Sequence, residues 1–261
     1  MKPAMDGPRA KVNRAREHLR ALRNEIDAFL NADPYTPTRE TDPENGDYVW
    51  RLQVHRHPPV RLGVLIGDVA HNLRSSLDHL AWQLALVQTR TPRQSTEFPI
   101  FIDPVSGPGK KGFDPHGRQK IRNLPDPAKK LIEAIQPYSV DARAHGSLLW
   151  LLQRISITDK HRIILAPLTV FGGAAIPISH DAPQGSIVLG TGELDQDREV
   201  LRIPRESVRY LDQNDEPSFI FRIGIDIPGI TKRRDVLALL NQLDELISHE
   251  LLPQFERFFS A

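Results

Sequence analysis

Residues 60–89, VRLGVLIGDVAHNLRSSLDHLAWQLALVQT, place apolar side chains at spacings of three and four and predict one long helix. With Asp68 at zero and about 100° per residue, Val69, Leu73, Leu77, Leu80 and Leu84 gather on one side as a core face. Asp68, His71, Asn72, Ser75, Asp78 and His79 gather on the other. A helix lying on a protein surface stays polar along that second side. Here Val64 and Leu65 precede the polar block on its own side, and Trp82 and Leu86 follow it. The pattern predicts a helix covered at both ends, with a polar block between them that must find partners. Two roles suit such a block. One is a structural hydrogen-bond network that includes an i,i+4 Arg74–Asp78 pair. The other is a site where imidazoles move protons and a guanidinium neutralises a phosphate or carboxylate.

The rest of the chain reads as helices around a β-rich section. Val12, Ala15, Leu19, Leu22, Ile26, Phe29 and Leu30 mark an amphipathic helix from Pro8 to about Leu30. NADPYTPTRETDPENGD reads as a turn-rich connection, and YVWRLQVHRH alternates like a strand until Pro58 and Pro59. A Pro/Gly-rich passage at 90–118 contains FPIFI; a short helix broken at Pro125 and a second from about Pro127 to Ile135 come next. HGSLLWLLQRISITDKHR is apolar on nearly every side and reads as a buried helix. Short apolar runs cut by Gly, Pro and Asp from about 163 to 226 predict an antiparallel sheet. The last segment returns to helix, with Val236, Leu239, Leu240, Leu243, Leu246, Ile247 and Leu251 in one stripe that should pack back on the N-terminal helices. The expectation is a single α+β domain over 1–261, helical in 1–161 and 228–261, with a β section at 162–227 inserted between.

Composition narrows the chemistry. Thirty-four basic against 33 acidic side chains give a net charge of +1, without the global polycationic character of a bulk nucleic-acid binder. The chain has no cysteine, which removes disulfides, zinc-thiolate sites and thiol nucleophiles. No run approaches the roughly 20 apolar residues of a membrane span, and the charged N-terminus is unlike a signal peptide, so a cytoplasmic protein is expected. No Gly-x-Gly-x-x-Gly, Walker loop or Gly-x-Ser-x-Gly elbow occurs, and no cofactor is expected.

A second polar cluster, Thr158–Arg162, comes where the buried helix gives way to the sheet. Lys160, His161 and Arg162 suit a helix C-terminus, but Asp159 opposes the dipole there and calls for a cation such as Arg74 or protonated His79. The two clusters together nominate a cleft formed by Asp68, His71, Asn72, Arg74, Asp78, His79, Asp159, His161 and Arg162. Asp68, His71 and His79 are an alternative set of ligands for a divalent metal ion.

GDVAHNLRSSLDHLAWQLA, EFPIF, QPY and LLWLLQRISITDKHR, in that order, resemble a family of actinobacterial proteins with a Gly-Asp-x-x-His-Asn-Leu-Arg-Ser-x-Leu-Asp-His-Leu helix and a later Asp-Lys-His-Arg. The likeness spans roughly residues 60–165 and brings no activity with it. The chain also resembles, more distantly, the HEPN domains, helical bundles whose ribonuclease members use Arg-x(4–6)-His, matched by Arg74 and His79. Ser75 stands where those motifs usually have Asn, Asp or His. This resemblance implies metal-independent RNA cleavage in a homodimer, with His79 assisting the attack of a ribose 2′-OH and Arg74 stabilising the phosphate charge. RNA and a second copy of the chain are the partners it implies. A non-catalytic ligand- or partner-binding protein, whose polar cluster is structural, is the alternative.

Overall fold

The computed structural model describes residues 3–104, 113, 115–140, 147–161, 167–179, 181–183, 185, 187–189, 194–212, 216–227 and 234–259, the side chains of Val140, Lys160 and His161 excepted. The architecture is α+β. Helix α1 (Asp6–Leu30) is followed by strands β1 (Tyr35–Thr41) and β2 (Tyr48–Val54), and then by the long helix α2 (Val60–Gln88). Three short helices come next: α3 (His116–Lys120), α4 (Asp126–Ala134) and α5 (Pro137–Val140). After α6 (Leu148–His161) the chain forms β3 (Pro167–Ala175), β4 (Val188–Leu189), β5 (Glu199–Ile203), β6 (Ser218–Ile225) and β7 (Arg234–Asp235). Helix α7 (Val236–Glu245) then continues through a π-helical stretch, Leu246–Leu251, into α8 (Leu252–Glu256). Pro253 has no N–H to donate one turn back, and the wider π turn falls just before it.

The helical core is built by α1, α2, α6 and α7. α1 buries Val12, Ala15, Leu19, Leu22 and Ile26 against α2, whose Leu62, Ile66, Leu73, Leu77, Leu80 and Leu84 are wholly inaccessible. α7 returns to α1, α2 and α6, capped at its start by the Asp235 carboxylate accepting from the Ala238 N–H at 2.8 Å. On its polar side, Asp244 accepts both carboxylate bonds of Arg16 Nε at 3.0 Å, fastening α7 to α1.

The strands form two antiparallel sheets, ordered β1-β2-β5-β4 and β3-β6-β7. The stretch read as a turn-rich connection is therefore in part a strand: β1 pairs in full with β2, Tyr35 opposite Val54 and Thr41 opposite Tyr48. Pro37 is tolerated because β1 is an edge strand. The hairpin also corrects the expected partition, since two strands of the first sheet come from residues within 1–161 and β7 lies beyond 227. Strand β6 joins the two cores. Alternation puts Phe219, Phe221, Ile223 and Ile225 on one face, where the first two pack on the sheet core around Trp50, Leu52 and Leu201 and the last two in the helical core. Tyr35 stands at the junction, its ring 5.2 Å from Phe221 and 6.1 Å from Phe29, its hydroxyl hydrogen-bonded to Thr169 Oγ1.

The turn between β1 and β2 is tied to β5 by one guanidinium. Arg202 donates to both oxygens of Glu199 at 2.8 and 2.9 Å, and to Asp42 and Asp47 at 2.8 and 2.9 Å. Its hydrogen bonds hold the Asp42 and Glu199 carboxyls below the usual carboxylate range. A depressed carboxyl stabilises the fold above its unfolded-state value of about 4, and that contribution disappears as pH falls through the folded value. Denaturant unfolding should therefore find Arg202→Met less stable than the native chain at neutral pH, with the difference shrinking as pH drops below about 4.

Candidate functional site

The polar block of α2 has its largest buried charge at Arg74, only 6% exposed. Its Nε donates to Gln153 Oε1 of α6 at 2.8 Å, Nη1 to Asp78 Oδ1 at 2.7 Å, and Nη2 to the Phe98 carbonyl at 2.6 Å. Asp78 Oδ1 also accepts from the Phe98 N–H at 3.0 Å. Phe98 belongs to the extended segment EFPIF, which runs beside the helices outside either sheet. Its backbone groups therefore need side-chain partners. Gln136, at the head of QPY and wholly buried, donates to the Pro99 carbonyl at 2.9 Å and accepts from the Phe101 N–H at 3.0 Å. Lys120, paired with Glu97 and placed 5.5 Å over the Phe101 ring, closes the segment's outer side. Burial pushes its ammonium below the usual lysine range, and the Arg74 charge acts in the same direction.

Asp68 and His79 belong to the opposite flank of α2, against α1. Asp68 Oδ2 lies 3.8 Å from His18 Nδ1. A Cβ at Gly7 would lie 3.1 Å from His79 Nδ1. Arg74 and His79 are five positions apart, about 140° around the helix, and so leave it toward different neighbours. Asn72 turns back on its own helix, its Nδ2 donating to the Asp68 carbonyl at 2.9 Å. His71 and Ser75 are half-buried on the outer side between the two flanks.

The second cluster meets α2 at Gly67. Asp159 packs on Gly67 so closely that a Cβ there would collide with its carboxyl group, while Thr158 is 1% exposed beside it. The anticipated Arg74–Asp159 pair is replaced by Arg74–Gln153, because α6 runs antiparallel to α2 and brings position 153, not 159, level with Arg74. The side chains of Lys160 and His161, and Arg162 as a whole, lie outside the described residues.

Two expectations are corrected. Among the described residues no three His, Asp or Glu side chains converge to hold a metal ion, and the set Asp68, His71 and His79 is not assembled. The polar face is covered only in part at its ends: Leu65 is buried and Leu86 half-buried, but Val64 is 44% and Trp82 37% exposed. Sequence reasoning also passed over Gln153, Gln136, His18 and Gly67. The signal for Gln153 was a lone amide on a helix otherwise read as buried. Gly67 offered a second, as a small residue mid-helix where another element must come close.

No protein-family model, curated protein or solved structure matches this chain. Arg74, Asp78, Phe98 and Gln153 are joined by hydrogen bonds into one network, and Gln136 holds the same segment through Pro99 and Phe101. Among the described residues no helix is long and apolar enough to cross a membrane.

The contact at Gly67 sets a test. Gly→Ala inside a helix ordinarily stabilises by about 0.5–1 kcal/mol. Gly67→Ala should instead destabilise, because the new methyl displaces Asp159, and should become neutral or stabilising in an Asp159→Ala background. A double-mutant cycle by denaturant unfolding reads the change of sign.

Proposed function

We propose that this chain is a non-catalytic intracellular binding protein, in which the Arg74 block is a structural network and the outer side of α2 is the binding face. The observation that supports this reading is the occupancy of Arg74. All three of its nitrogens donate to groups of the same chain, and the side chain is nearly inaccessible. A guanidinium that stabilises a phosphate during cleavage must present free N–H groups to the substrate. Doing so here would strip the Phe98 carbonyl and Asp78 of their partner. His79, by contrast, is exposed and turned toward the start of α1.

Removing Arg74 should act on stability. Arg74→Ala leaves a buried carbonyl and a carboxylate unpaired and should cost about 3–5 kcal/mol, seen as a melting temperature lower by roughly 10 °C. The competing reading, RNA cleavage by Arg74 and His79, is tested on labelled single-stranded RNA in the presence of EDTA. The expected result is no cleavage above the buffer rate. Cleavage by the native chain that disappears in a folded His79→Ala variant would overturn the proposal.

A further inference from the structure

The outer strip of α2 has an internal order. Val64 and Trp82 are about five turns apart and so point the same way. Their midpoint is position 73. Val60 and the half-buried Leu86 share that midpoint, as do His71 and Ser75, and Asp68 and His79 miss it by half a residue. Outward from the centre, the strip therefore reads polar, then charged, then apolar in both directions. Val60 is 65% exposed, which together with Val64 and Trp82 gives apolar surface at both ends without cover.

From this order we infer that the outer face of α2 is the contact between two copies of the chain, crossing antiparallel about a twofold axis near position 73. This rests on the binding reading above and names its partner. A twofold contact uses one patch on both subunits, so the patch must be its own complement. In this register each Trp82 covers Val64 of the second copy, and each Leu86 covers Val60. Each His79 faces Asp68 of the second copy. These two groups lie on the same flank, beside Gly7 and His18 of α1, and the twofold keeps that flank on its own counterpart. Asp68, with 46% of its side chain exposed, has room for a second imidazole besides His18. Asp78, level with Asp68 of the second copy, leaves the helix on the other flank, held by Arg74.

The absence of cysteine from the chain makes the register directly testable. With helix axes 8–10 Å apart, two residues at position 75 lie on either side of the axis within reach of a bis-maleimide spanning about 10 Å. Ser75→Cys should cross-link to a covalent dimer, and Thr38→Cys on β1 should not. Light scattering should give twice the chain mass for the native protein and the single-chain mass for Trp82→Glu with an unchanged far-ultraviolet spectrum. Asp68→Lys should weaken the dimer by about tenfold or more, and adding His79→Glu should restore it. A native chain that stays monomeric at its highest soluble concentration overturns the inference. So does a dimer that neither responds to Trp82→Glu nor cross-links in the Ser75→Cys variant. RNA cleavage is scored separately, so a monomer without nuclease activity would sink this inference and leave the structural reading of Arg74 intact.

Discussion

The arrangement of the helical half depends on satisfying the backbone of an extended segment that belongs to neither sheet. Phe98 and Ile100 are buried, and covering a side chain of that size contributes about 2–3 kcal/mol. The backbone between them carries N–H and C=O groups that cannot be left without partners. Arg74 and Asp78 take both polar groups of Phe98, and Gln136 serves Pro99 and Phe101. Three side chains thus do what a neighbouring strand would do. Because Arg74 also holds Gln153, the same guanidinium sets the height of α6 along α2. A buried charge is not in itself stabilising. Its effect here is to define one position for three separate pieces of chain.

In the β half the same job falls to Arg202, at lower cost because its surroundings are partly solvated. It joins the β1–β2 turn to β5, while β6 runs from one hydrophobic core into the other. The two halves are linked by side chains from β6 and by Phe29, Leu30 and Tyr35 at the end of α1 and the start of β1. This is why the hairpin, early in the chain, ends up in a sheet completed far later.

Periodicity revealed α1, α2 and α7, because one apolar face per helix was enough to define each, and α6 showed as a run apolar on nearly every side. It also revealed the Arg74–Asp78 pair, which is local to one helix. It hid β1, whose YTPTRET has a proline and charges that an edge strand tolerates and a central one would not. It mispredicted the ends of the polar face. Val64 and Trp82 look like core residues when judged from neighbours in sequence, but whether they are covered depends on elements distant in sequence, and both stay exposed. The bond from Arg74 to Phe98 was equally out of reach, since a backbone carbonyl has no residue-specific signature.

The polar residues that looked like one cluster therefore divide by direction. Those turned toward α6 and the Phe98 segment are spent on holding the chain together: Arg74, Asp78, and Asp159 where it packs on Gly67. Those turned toward α1, Asp68 and His79, retain exposure and sit symmetrically about the middle of the helix. A residue committed to three internal hydrogen bonds cannot also recognise a partner without unfolding its surroundings, so the proposed binding face rests on the second group. Its flanks are apolar at both ends. A surface with greasy ends and a charged middle is costly to leave in water and favours a partner with the same profile in reverse, which a twofold copy of the same helix provides.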